Sequence, residues 1–162
     1  MKDTTRASLG LFGAWVVHDA EEMLTMSKNS RWILKRMPPW LPIPEELRAR
    51  GVSQTHVNLS LALMAGLMGT ASALGVRSSG RSSFFRGALL AFGMHGFSHI
   101  GASALTGRYT TGVVTAPLIV IPYWLWARGV LRRHGIADQD GPASAMAVAN
   151  LPLLFGVHAL SH

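Results

Sequence analysis

At 162 residues, with 49% apolar side chains, only 14% charged ones and a mean hydropathy of +0.27, the chain is too apolar for an ordinary soluble domain and reads as an integral membrane protein. The absence of cysteine excludes disulfides, thiolate ligands and thiol nucleophiles, so any metal must be held by nitrogen and oxygen. The net charge of +7 sits in connecting segments and not along one helical face, which argues against a nucleic-acid partner and for attraction to anionic lipid headgroups.

Five apolar stretches, 7–26, 57–76, 87–105, 112–130 and 143–160, predict a single domain over residues 1–162. The expected fold is all-α, an integral membrane bundle of about five transmembrane helices, since each stretch comes close to the roughly 20 residues that cross a bilayer. In the first stretch the apolar run 9–17 leads directly into His18-Asp19-Ala20-Glu21-Glu22. No small-residue cleavage pattern intervenes, so this helix is expected to stay in the mature chain. On a helix Glu22 lies one turn beyond His18 on nearly the same face and Glu21 at its edge, while Asp19 points away and would support a ligand from behind.

The connection 27–55 interleaves Lys28, Arg31, Lys35, Arg36, Arg48 and Arg50 with Trp32, Met37, Trp40 and Leu41, and adds Pro38, Pro39, Pro42 and Pro44. Tryptophan beside basic residues favours the membrane–water boundary, so this segment is expected to be a long interfacial loop, a flap between helices 1 and 2 that touches membrane lipids. The second stretch follows His56, contains Asn58 and carries no charge, leaving no face for water. After a Ser/Gly/Arg turn the third stretch carries His95 and His99. The fourth contains Pro117 and Pro122, which predict a kink, and Tyr123, Trp124 and Trp126, which predict an interfacial belt. The fifth carries Asn150, Pro152, His158 and His162.

Helices alternating in direction bring the end of the first, the start of the second and the ends of the third and fifth to one side of the membrane. His18, Glu21, Glu22, His56, His95, His99, His158 and His162 then share one level, and only His134 falls on the other side. The pairs 95/99 and 158/162 are both His-x-x-x-His, the spacing by which a helix chelates a metal. Each histidine alone is better explained by a hydrogen bond to a neighbouring helix; the set together is read as a metal site. Six histidines and two glutamates exceed what one four-coordinate zinc uses, so two transition-metal ions are expected, with a bridging carboxylate. Iron is favoured, zinc and manganese being compatible with the same donors. Asn58 is expected to hydrogen-bond a ligand, and Asp19 either to do the same or to sit at the membrane interface.

Through His18, Glu21 and Glu22 the chain resembles the family of small bacterial membrane proteins named for the motif His-x-x-Glu-Glu, whose members largely lack an assigned function. That resemblance implies a multi-helix protein of the bacterial inner membrane. The Tyr-x-Pro-Gly step that accompanies the motif in the family is absent here. More loosely, the histidine pairs look like those of membrane di-iron hydroxylases and desaturases, and the carboxy-terminal pair is similar to that of intramembrane zinc amide hydrolases.

Three functions compete. The leading expectation is an oxygen-dependent oxidoreductase of hydroxylase or desaturase type, acting on a lipid or other apolar substrate and fed by an electron-donor protein, with Glu21 and Glu22 as catalytic groups. The runner-up is a zinc hydrolase in which one of these glutamates serves as general base to a metal-bound water. A metal or proton carrier is the third, weakened because the far halves of the helices offer only His134. Basic residues divide almost evenly between the two sides, so the positive-inside rule gives no orientation; a cytoplasmic active face is expected from where reductants are supplied.

Overall fold

The computed structural model describes residues 2–137 together with Gly141, Ser144 and Ala145. The expected fifth helix, with Asn150, His158 and His162, therefore lies outside the described residues. Within them every regular element is helical: α1 (Lys2–Leu34), α2 (Glu45–Arg50), α3 (Gln54–Arg77), α4 (Ser83–Thr106), a π-helical turn (Ala116–Val120) and α5 (Ile121–Arg133).

α1 is longer than the apolar pattern suggests. The residues 27–34, expected in the loop, continue the helix to Leu34, because loss of apolarity does not end a helix whereas the Pro38-Pro39 pair, which cannot donate backbone hydrogen bonds, does. The flap is thus confined to the segment 35–53. Within it the Arg48 guanidinium donates to the carbonyls of Leu34, Met37, Pro38 and Leu41 at 3.2, 2.8, 2.8 and 3.0 Å, holding the proline-rich turn together from one side chain. Ser27 and Ser30 fasten its end to α1: Ser27 Oγ donates to the Val52 carbonyl (2.9 Å), and Ser30 Oγ accepts from the Val52 amide (2.8 Å).

Serines start the next two helices. Ser53 accepts from the His56 amide and Ser82 from that of Phe85, and α4 stops at Gly107, which adopts the left-handed conformation at φ 62°. The Pro117 and Pro122 kink takes the form of a π turn. Pro122 has no N–H to continue the ladder, and the Ile121 amide reaches back five residues to the Ala116 carbonyl.

Four helices pack side by side. Gln54 Nε2 donates to the Met23 carbonyl at one end of the α1–α3 pair, and the Phe12 ring meets Gly69 towards the other, so the two run antiparallel. The buried residues of α1 form one stripe: Thr4, Ala7, Ser8, Leu11, Trp15, His18, Asp19 and Glu22. These steps of three and four are one helical face. Its first half packs in the apolar core with Met68, Ala71, Phe85, Leu89, Val120 and Leu131; its second half carries the polar cluster described below. Glycines permit the close approach: a Cβ at Gly93 would stand 2.4 Å from the Trp124 ring, and one at Gly75 would stand 2.7 Å from both the Phe85 ring and Ser8 Oγ. The Tyr123 hydroxyl donates to the Ala7 carbonyl at 2.5 Å, tying α5 to α1.

The expectation of five spans meets one helix among the described residues, α3, that is long and apolar enough to cross a membrane. The other stretches carry their polar side chains inside the apolar run, His18 to Glu22 in α1 and His95 and His99 in α4, while α5 is only 13 residues long.

Candidate metal centre

The stripe on α1 and the pair on α4 meet at one point. His18, Glu22, His95 and His99 each offer a ligand atom, and those atoms all lie within 4.8 Å of one another. Glu22 Oε1 is at the centre, 3.1 Å from His99 Nε2, 3.5 Å from His95 Nε2 and 3.9 Å from His18 Nε2. Metal–ligand bonds of about 2.0–2.1 Å in a tetrahedral site set ligand–ligand edges of roughly 3.3 Å, so these separations bracket the required spacing. The two Nε2 atoms of His95 and His99 approach more closely, at 2.8 Å. Phe92 closes one side, its ring edge-on to His18 at 5.9 Å between centroids.

The fit to a cation rests on two buried atoms that face only each other and the cluster. His18 Nε2 is fully buried with no hydrogen bond, and the buried Glu22 Oε1 meets nothing but the cluster's own imidazoles. Buried polar atoms in this condition are rare and costly, and three imidazoles with one carboxylate are donors that a divalent ion satisfies together. The residues present therefore fit a metal ion and are able to hold one.

The tautomer of His18 follows from what stands behind it. The Thr115 hydroxyl donates to Glu21 Oε2 at 2.6 Å and lies 2.7 Å from His18 Nδ1. With its proton spent on the carboxylate, Thr115 Oγ1 is left as an acceptor, so His18 carries its hydrogen on Nδ1 and turns the Nε2 lone pair into the cluster. Glu21, expected among the ligands, is instead the anchor of this chain. Its Oε2 also accepts from the Thr115 amide (2.8 Å), and its Oε1 accepts from the Tyr109 hydroxyl (2.6 Å) and the Val114 amide (3.4 Å). Partial burial and the Glu21 carboxylate push the Tyr109 hydroxyl above its ordinary pKa, so it remains a donor at neutral pH. Gly112, at φ +79°, lets the same turn press on His99, whose ring a Cβ there would meet at 2.7 Å. Thr25 and Asn29 of α1 complete the attachment, donating to Thr111 Oγ1 at 3.1 and 3.2 Å.

The remaining expected residues are placed as follows. His56 is buried at the start of α3 and lines a cavity with Glu22 and His99, outside the four-residue cluster. Asn58 does not support a ligand: it is exposed and accepts from Gln54 Nε2 at 2.9 Å, one turn away on the outer face of α3. Asp19, expected to point away, is buried because the inward stripe of α1 is wide enough to include both 18 and 19. His158 and His162 fall outside the described residues.

Two cavities meet at Glu22 and Met26. A narrow slot of about 120 Å³ runs between α1, α3 and α4, walled by Trp15, Leu61, Met64, Leu67 and Phe92 and touched by Asp19, Ser60 and His95. A wider cavity of about 640 Å³ lies beneath the flap, between Ile33, Met37, Ile43, Leu47, His56 and His99.

A family model described as a protein of unknown function with HXXEE motif matches residues 9–127, most of the chain. The chain belongs to the HXXEE family. Neither the curated proteins nor the solved structures yield a match, so the looser likeness to di-iron hydroxylases rests on the histidine pairs alone. The geometry divides the HXXEE motif between two tasks: His18 and Glu22 face the cluster, and Glu21 fastens the turn before the π helix. Sequence reasoning missed Tyr109 and Thr115. No periodicity marks the turn that carries them, although Gly112 at φ +79° and the polar run Tyr109-Thr110-Thr111 set it apart from the flanking apolar stretches.

Proposed function

We propose that this HXXEE-family chain is a membrane-embedded metalloenzyme, an oxygen-dependent oxidoreductase of hydroxylase or desaturase type, whose substrate is a lipid or other apolar molecule. His18, Glu22, His95 and His99 hold iron in this reading. The observation that carries it is that Glu22 lines two largely apolar cavities, His95 one of them and His99 the other, with His18 buried behind, so that an apolar chain can lie beside the ligands. Iron bound there supplies the activation of oxygen. The chain's own residues fix His18 through Thr115 and Glu21, exclude water with Phe92 and Trp15, and hold the substrate beneath the flap.

Support for the membrane comes from the outer surface. Leu9, Leu24, Leu59, Leu63, Met94 and Leu118 are all exposed, on several helices, and only 28% of the apolar window of α3 is buried, unlike the core helix of a soluble protein. The reductant such a reaction needs makes the cytoplasmic leaflet the natural side for the site. A second ion would draw on His56, and on His158 and His162. The zinc hydrolase is the weaker reading because Glu21, a candidate base, has both carboxylate oxygens occupied by hydrogen bonds.

Oxygen uptake tests the proposal. Iron-loaded, chemically reduced protein in detergent is expected to consume oxygen at least ~10-fold faster than the Glu22→Ala variant, a loss within the range seen when a metal site is disturbed. Equal rates, or a wild-type chain that holds zinc and cleaves esters or amides, would overturn it.

A further inference from the structure

Along most of its wall the narrow slot offers only apolar atoms, but two polar groups interrupt it apart from the cluster. Ser60 is 6% exposed, lines the slot, and its Oγ has no hydrogen-bond partner among the described residues. Asp19 is 7% exposed, lines the same slot, and likewise makes no hydrogen bond among the described residues. The antiparallel register, set by the Gln54–Met23 bond at one end and the Phe12–Gly69 contact towards the other, puts Ser60 level with Asp19 across the α1–α3 boundary.

A plain alkyl chain in this slot leaves both groups unsatisfied. A hydroxyl on the bound molecule satisfies both: its oxygen accepts from Ser60 Oγ, and its proton is donated to a carboxyl oxygen of Asp19. Glu22 and His95 line the slot as well, so such a hydroxyl is held close to the ligands. We propose that Asp19 and Ser60 form a polar subsite selecting apolar molecules that carry a hydroxyl group, a long-chain alcohol being the simplest. As a statement about substrate, it rests on the reading of the cluster as a metal centre.

Photoreactive hexadecanol and hexadecane, each bearing a diazirine, test the subsite on the full chain, metal-loaded and in detergent, with labelled peptides mapped by mass spectrometry. The alcohol is expected to label the segment 61–67 at least ~10-fold more than the alkane, because a site built to hydrogen-bond a hydroxyl rejects the analogue without one. Ser60→Ala should bring the two probes within about twofold of each other at unchanged metal content. Met64→Trp, which fills the slot, should block both. Equal labelling by the two probes in the wild-type chain, or an undiminished preference in Ser60→Ala, overturns the subsite. Metal is measured on the same samples, so an alcohol preference in a chain that retains no metal counts against the centre and for the subsite.

Discussion

Glu22→Ala is expected to abolish metal retention and leave the helical fold in place. Glu22 is the only carboxylate among the four candidate ligands, and its Oε1 is the atom that all three imidazoles approach. Its removal leaves three imidazoles with no anion to offset a divalent charge. The loss should exceed the roughly 10–100-fold that follows removal of a group merely supporting a ligand. Metal-free protein supplies the control. There Glu22 still packs against the His99 and His95 imidazoles at 3.1 and 3.5 Å, so variant and wild type are first compared without metal and only the further rise in unfolding temperature on adding metal is read as ligation. Dialysis against metal followed by elemental analysis, with circular dichroism for helicity, reads both effects. Wild-type metal content in the variant would remove Glu22 from the ligand set, as it would for His18 in His18→Ala.

Thr115→Val separates support from ligation. Valine keeps the shape of threonine but cannot accept from His18 Nδ1 or donate to Glu21, so His18 loses the group that fixes its tautomer. A fall of about 10–100-fold in metal affinity is expected, with the remaining ligands intact. Thr115→Ser restores the hydroxyl and should recover most of the loss. If valine and serine bind metal as the wild type does, the ring is held by packing against Phe92 and its neighbouring imidazoles, and the Glu21–Thr115 chain has no part in it.

The geometry of the centre was legible where it depends on local periodicity. His18 and Glu22, and His95 and His99, are each four residues apart, and alternation of helix direction put the two pairs at one level; the structure brings these four side chains together. The division between Glu21 and Glu22 was not legible. Both lie near the same helical edge, and the choice is made by Tyr109 and Thr115, some ninety residues away in sequence, through a turn with no periodicity to read. Helical spacing turns Asp19 away from His18, yet it is buried, because α3, α4 and α5 pack around α1 and cover a broader stripe than one face. α1 outruns its apolar stretch because the end of an apolar pattern does not stop a helix, whereas proline does. The helical class was evident from the apolar stretches. Their number as spans was not, because the same side chains that build the centre lower the hydropathy of the helices that carry them.

The central claim is that three imidazoles and one carboxylate, brought together by α1 and α4, bind a metal ion. X-ray absorption on the purified chain in detergent, after metal loading and dialysis, tests it most directly. The expected result is a retained ion whose spectrum shows imidazole scattering and nitrogen or oxygen neighbours at about 2.0–2.1 Å. A chain that emerges from dialysis without metal, or an ion with no imidazole around it, would contradict the account.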